Sequence, residues 1–196
     1  MLKTIIFDLS EVLIQGATGM SKLVNKKIMS NLTDSDLLTE NLGNLFIGKI
    51  SESEYWQSVI DKTMLEISID ELKEIVRKNF KEIKGTRQII EKLQQHYQLG
   101  LLSNHTKEWV EYCEGRFHYE ELFNCVAYSY DAQSTKPSDK IFKFLLKKLK
   151  AKPEETLFID DYEKNVLAAK KLGLHAIKFT SPHQLIAQLR ELGVNV

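Results

Sequence analysis

Five short apolar runs, at 2–7, 99–102, 123–127, 157–159 and 174–179, are each bounded by polar or turn residues. No other feature narrows the possible folds as much. Runs this short, flanked this way, read as buried strands. After the second run, amphipathic stretches at 107–117, 139–149 and 162–172 separate them. That alternation is the pattern of a parallel sheet with crossover helices, so the fold class is expected to be α/β. Pro137 stands where a helix would begin and Gly173 where the next would end, in keeping with the usual punctuation of helices.

The interval between the first two runs differs. Residues 15–83 hold no convincing strand, but 34–46, 51–61 and 70–80 carry apolar residues at spacings of three and four. Ser51 with Glu54 forms the sequence signature of a capping box. A helical domain inserted into the sheet is therefore expected at 15–83, with 1–14 and 84–196 as a discontinuous α/β core. A chain of 196 residues has room for both.

Charge excludes several functions. Lys plus Arg and Asp plus Glu both number 27, so no global field draws the protein to nucleic acid or an anionic membrane. The apolar burst ending at Asp8 is too brief for a signal peptide. No stretch approaches the roughly 20 apolar residues of a membrane span. Cys113 and Cys125 form neither a CxxC pair nor a disulfide framework, which points to reduced thiols and a cytoplasmic location. A monomer or a homodimer is expected.

Three of the apolar runs end in polar residues unsuited to a strand interior: Asp8, then Ser103 and Asn104, then Asp160 and Asp161. In open α/β sheets ligands bind outside the carboxyl ends of the strands, so these ends should meet at one site. Each residue taken alone also reads as a helix cap or turn former. Asp8 fits that reading least, because an unpaired carboxylate at the end of a buried strand is costly. Three carboxylates at one sheet edge would repel one another unless a cation sat among them, and oxygen-only ligation suits magnesium. Lys136, just before Pro137, reads either as a solvated lysine or as part of the site.

The segments IIFDLSEVL, LLSNHT, TKPSDKIF and LFIDDYEKNVLAA stand in the order of the four motifs of haloacid dehalogenase-like hydrolases, which the chain resembles over essentially its whole length. The resemblance implies a Rossmann-like parallel sheet core with an inserted α-helical cap, and FIGKISESEYWQSV is similar to a cap segment of the superfamily's sugar-phosphate phosphatases. It implies Asp8 as nucleophile, Ser103 and Lys136 holding the transferring group, and Asn104 beside them. It places Mg2+ on Asp8, the Ser10 carbonyl and Asp161, with Asp160 binding through water. Asn165 either orients that shell or lies on a helix surface. Lys49, Tyr55 and Trp56 are candidates for substrate contact from the cap, and the two aromatics read equally as helix packing.

The implied activity is a magnesium-dependent phosphatase of a small phosphorylated metabolite, working through an aspartyl-phosphate. One departure qualifies it. Many relatives have an acid/base aspartate two places after the nucleophile, and here that place is Ser10. Losing a general acid costs on the order of 10² to 10⁴ in rate. Either the leaving group is good, as in an anomeric sugar phosphate or an acyl phosphate, or another acid such as Glu11 substitutes. Two rival readings remain: a 2-haloacid dehalogenase, which also lacks that aspartate, and a catalytically weak relative kept for binding.

Overall fold

The strand β1 (Thr4–Phe7) is buried at all four positions and occupies the centre of a parallel sheet. The computed structural model describes residues 1–196. After β1 come a two-residue strand β2 (Ile14–Gln15) and five helices: α1 (Met20–Ile28), α2 (Asp34–Leu37), α3 (Glu40–Phe46), α4 (Glu52–Thr63) and α5 (Ile69–Asn79). The chain returns through β3 (Lys81–Glu82) and α6 (Thr86–Leu93) to β4 (Gln98–Ser103). It continues through α7 (Lys107–Phe117), β5 (Cys125–Tyr128), the single-turn α8 (Ser129–Ala132) and α9 (Asp139–Leu149). The last elements are β6 (Thr156–Asp160), α10 (Glu163–Lys171), β7 (His175–Lys178) and α11 (Pro182–Glu191). The sheet order is β5-β4-β1-β6-β7, with every pairing in it parallel. This is the expected α/β, Rossmann-like core. No helix is long and apolar enough to cross a membrane.

Side chains of β1 alternate between the two faces of the sheet. Ile6 joins Leu102 and Phe158 beneath α9, where Phe142 and Phe158 meet edge to face at 5.1 Å. Ile5 and Phe7 point the other way, into a larger apolar cluster that also takes Val24, Val59, Leu72 and Val76 from the helices between β2 and β3. Those helices therefore share the core of the sheet. Gly100 in β4 allows α9 to approach closely: a Cβ there would lie 2.8 Å from Leu149 Cδ1 and 3.3 Å from both Leu145 Cδ2 and Ile6 Cγ1. Gly100→Val is expected to destabilise the fold by about 1–3 kcal/mol in urea titrations, with Gly100→Ala milder. An unchanged midpoint for both would show that this layer is not tightly packed.

Two local expectations are corrected. Residues 34–46 are not one helix, because the chain breaks at Leu38 and restarts with Thr39 in an extended conformation as the cap of α3. Apolar spacing alone did not register that break. Residues 15–83 also contain strand, since β2 and β3 pair antiparallel where the chain leaves and rejoins the sheet. Two-residue strands are too short to show a period of two. The Ser51–Glu54 capping box does form, with Ser51 Oγ accepting from Glu54 N at 3.2 Å and Glu54 Oε2 from Ser51 N at 2.8 Å.

Candidate active site

The carboxyl ends of β1, β4 and β6 lie side by side, because these are the three central strands of the sheet. Asp8 follows directly on β1, and its N–H is still held by Ile159 O at 2.9 Å. The chain then turns sharply: Leu9 O accepts from Val12, Leu13 and Ile14, and Glu11 takes a positive φ of 58°. Gly16 makes this turn possible, since a Cβ there would stand 3.0 Å from Ser10 Cβ. Ser10 thereby lines the same cavity as Asp161 and Asn104.

Asp8, Asp160 and Asp161 each offer a carboxylate oxygen, all within 4.8 Å of one another. Asp8 is 6% exposed and Asp160 fully buried. Lys136, 4% exposed, places Nζ 2.8 Å from Asp8 Oδ1 and 2.7 Å from Asp160 Oδ2. The two sequence readings of Lys136 thus resolve toward the site. Burial pulls this ammonium toward neutrality, but Asp160 and Asp8 more than offset that and hold it above its ordinary value. Burial likewise pushes Asp8 up to about 7, with Lys136 opposing and Asp160 and Asp161 adding to the rise. Asp161 is raised to about 6 by burial and by Asp160. Three carboxylates facing one ammonium leave an excess of negative charge that a cation would relieve.

Asp160 is saturated by protein donors. Besides Lys136, its Oδ1 accepts from Tyr162 N at 2.8 Å, and Asn165 Nδ2 lies 3.0 Å from both of its oxygens. Asn165 is therefore buried against the acidic cluster and is not a helix-surface residue. Asp8 Oδ1 is occupied by Lys136 and by Leu9 N at 2.7 Å. That leaves Asp8 Oδ2 and the Asp161 carboxylate without a hydrogen bond from any other residue.

Ser103 ends β4, and its hydroxyl is buried with no hydrogen-bond partner. A buried hydroxyl left without a partner is uncommon and fits a site built for a ligand. Asn104 stands next to it, but its amide is engaged elsewhere: Oδ1 accepts Lys136 N at 2.8 Å and Nδ2 donates to Lys136 O at 3.0 Å. Glu11 lines the cavity, with Oε1 accepting from Gly16 N at 2.9 Å.

Of the residues considered for substrate contact from the helical segment, Tyr55 and Trp56 line the cavity while being almost fully buried. The packing reading therefore holds for both, and their place in the cavity lining leaves them as candidates for contact. Lys49 is exposed and stands outside the cavity lining. Two residues went unnoticed in the sequence. Glu52, 1% exposed, accepts from Arg77, Trp56 and Trp109 and so joins α4, α5 and α7. A glutamate in a first helical turn is so ordinary that nothing local marked it. His105, buried behind Asn104, also lines the cavity, and its position inside LLSNHT was the only available signal.

The family model of haloacid dehalogenase-like hydrolases matches residues 5–179. The chain is 28% identical over 193 residues to a D-ribitol-5-phosphate phosphatase of Bacteroides thetaiotaomicron, covering 91% of this chain and 92% of the relative. A HAD-like family hydrolase from Porphyromonas gingivalis superposes with a TM-score of 0.82 at 26% identity, over 100% of both chains. A HAD family enzyme from Bacteroides thetaiotaomicron, in complex with magnesium and inorganic phosphate, superposes with a TM-score of 0.77 at 23% identity, over 92% of this chain and 96% of that one.

Proposed function

This chain belongs to the haloacid dehalogenase-like hydrolases, and we propose that within that family it is a magnesium-dependent phosphatase of a small phosphorylated metabolite, a sugar phosphate or a close analogue. The observation that carries this reading is the cluster of three carboxylates, two of which share one buried lysine. A halide-displacing enzyme has no use for that excess of negative charge, which would oppose a haloacid anion. The likeness to a ribitol-phosphate phosphatase supports the same choice.

The donor set fits a hard divalent cation. Asp8 through its free oxygen, Asp161, and the main-chain carbonyl of Ser10 would hold it. When bound, magnesium would supply positive charge to offset that on the phosphoryl oxygens. Asp160 would act from behind, fixing Lys136 with one oxygen and Asn165 with both. Asp8 attacks phosphorus, the O–P bond of the ester breaks as the Asp8–P bond forms, the departing oxygen takes a proton from water or from the cavity-lining Glu11, and water then hydrolyses the aspartyl-phosphate to inorganic phosphate and free Asp8. Lys136 and the Ser103 hydroxyl hold the phosphoryl oxygens, while Asn104 positions Lys136 through its main chain. Catalysis on this arrangement is mainly positioning and electrostatics. The helices of 15–83 act as a cap that encloses the leaving group and excludes bulk water.

The test is phosphate release from a panel of phosphate monoesters and acyl phosphates. Release is expected with magnesium and should fall to background with chelator. Asp161→Asn should raise the magnesium concentration needed for half-maximal rate by at least about tenfold. Release that is indifferent to chelator, or absent from every compound, would sink the reading.

A further inference from the structure

Beside Ser10, Asn104 and Asp161 a cavity of about 420 Å³ runs between the sheet edge and the helical segment. That volume suits a small-molecule site. Its far wall is aromatic, with Phe46, Trp56, Phe80 and Trp109 among the lining residues. Phe46 and Phe80 pack against Trp109 with centroids at 6.4 and 5.8 Å.

The polar atoms of this wall point away from the cavity. Trp56 Nε1 and Trp109 Nε1 both donate to Glu52 Oε1, at 3.2 and 2.7 Å, and the Tyr55 hydroxyl donates to Leu37 O at 2.8 Å. The wall therefore presents ring carbon. An open-chain polyol placed against it would lose hydrogen bonds to water and gain none on that side. A ring, which offers a flat C–H face, loses much less.

His105 is the exception among these rings. Its imidazole packs edge-on to Trp109, with centroids at 5.7 Å and planes at 89°, and its Nδ1 accepts from Thr106 N at 3.2 Å. Since Nδ1 is the acceptor, the proton of the neutral ring resides on Nε2. Nε2 makes no hydrogen bond within the protein, and it is not one of the sealed polar atoms without a partner. With His105 among the residues lining the cavity, Nε2–H is its one uncommitted donor. Burial and the nearby Lys136 push this imidazole down to about 4, so it stays neutral around pH 7.

We propose that His105, through Nε2–H, donates a hydrogen bond to the leaving group, and that this group is a ring with an acceptor oxygen close to the ester rather than an open-chain polyol. The inference rests on the phosphatase reading above and narrows its substrate class. It also separates this chain from its relative named for D-ribitol 5-phosphate, an open-chain ester.

Three esters of primary alcohols test it with magnesium present: tetrahydrofurfuryl phosphate, its carbocyclic counterpart cyclopentylmethyl phosphate, and ribitol 5-phosphate. The parent enzyme should favour the tetrahydrofurfuryl over the cyclopentylmethyl ester by about 3- to 10-fold in kcat/KM, the worth of one neutral hydrogen bond, with the ribitol ester poorest. His105→Phe keeps a ring against Trp109 but has no donor, and should bring the first ratio to about one, mainly through KM. His105→Gln can still place an N–H near the same point and should restore part of it. Ribitol 5-phosphate as the best ester of the parent, no preference between the two ring esters, or a ratio that persists in His105→Phe would each overturn the proposal. In all those cases Asp8-dependent release leaves the phosphatase reading standing. No Asp8-dependent release from any of them, or from acetyl phosphate, overturns both.

Discussion

Asp8→Asn is expected to reduce turnover by on the order of 10⁴- to 10⁶-fold, the scale seen when a hydrolase loses its nucleophile. The asparagine side chain has the same shape but is a far poorer nucleophile, and it cannot leave a carboxylate at the buried end of β1. The fold should survive, because Lys136 keeps Asp160 as a partner at 2.7 Å and the main-chain bond from residue 8 to Ile159 O is untouched. Stopped assays of phosphate release, run beside far-UV circular dichroism, separate the two effects. Residual turnover within tenfold of the parent, in a folded variant, would assign the nucleophile elsewhere.

The second large effect concerns stability. Glu52→Ala should cost about 3–5 kcal/mol, the range for breaking a buried ion pair. Arg77 donates to both oxygens of Glu52, at 3.0 and 2.8 Å, and the same carboxylate holds the two indole N–H groups. Removing it strands all of these donors at once, in the contact between α4, α5 and α7. Burial works against ionisation of Glu52, but Arg77 and the indoles outweigh it and hold the carboxyl below its ordinary range. A depressed acid stabilises the fold above its unfolded-state pKa and loses that contribution as pH falls through the folded value. Glu52→Gln should therefore cost less than Glu52→Ala at neutral pH and flatten the acid limb of the stability profile. Urea denaturation of both variants between pH 3 and 8, a range set about the reference value of roughly 4.3 for glutamate, measures this. A loss below about 1 kcal/mol for Glu52→Ala would mean that apolar packing alone seats the helical segment on α7.

The same hub bears on the dehalogenase alternative. Arg77 is the first arginine in the chain, and its guanidinium is committed to Glu52. A dehalogenase that held its departing halide with an arginine from the helical segment would find none free there.

What the sequence determined by itself is the strands of the sheet, the helices α7, α9 and α10 and the residues gathered at the sheet edge. Short apolar runs alternating with amphipathic stretches admit few arrangements other than a parallel sheet, and α7 and α9 occupy the ranges their apolar spacing implied. Asp8, Ser103, Asp160 and Asp161 were legible because each interrupts or ends an apolar run at the side of the sheet where ligands bind. Tertiary structure alone decided which side chains spend their hydrogen bonds on one another. Asn104 is turned onto the Lys136 main chain across 32 residues, and Trp109 onto Glu52 across 57. Nothing in the local sequence prefers these partners, because a donor that must be satisfied when buried takes whichever acceptor the packing delivers. The division of 34–46 into two helices and the β2–β3 ribbon were hidden for a related reason. Periodicity averages over several residues, whereas the break at Leu38 turns on one or two local peptide groups and the ribbon on two residue pairs that meet from far along the chain.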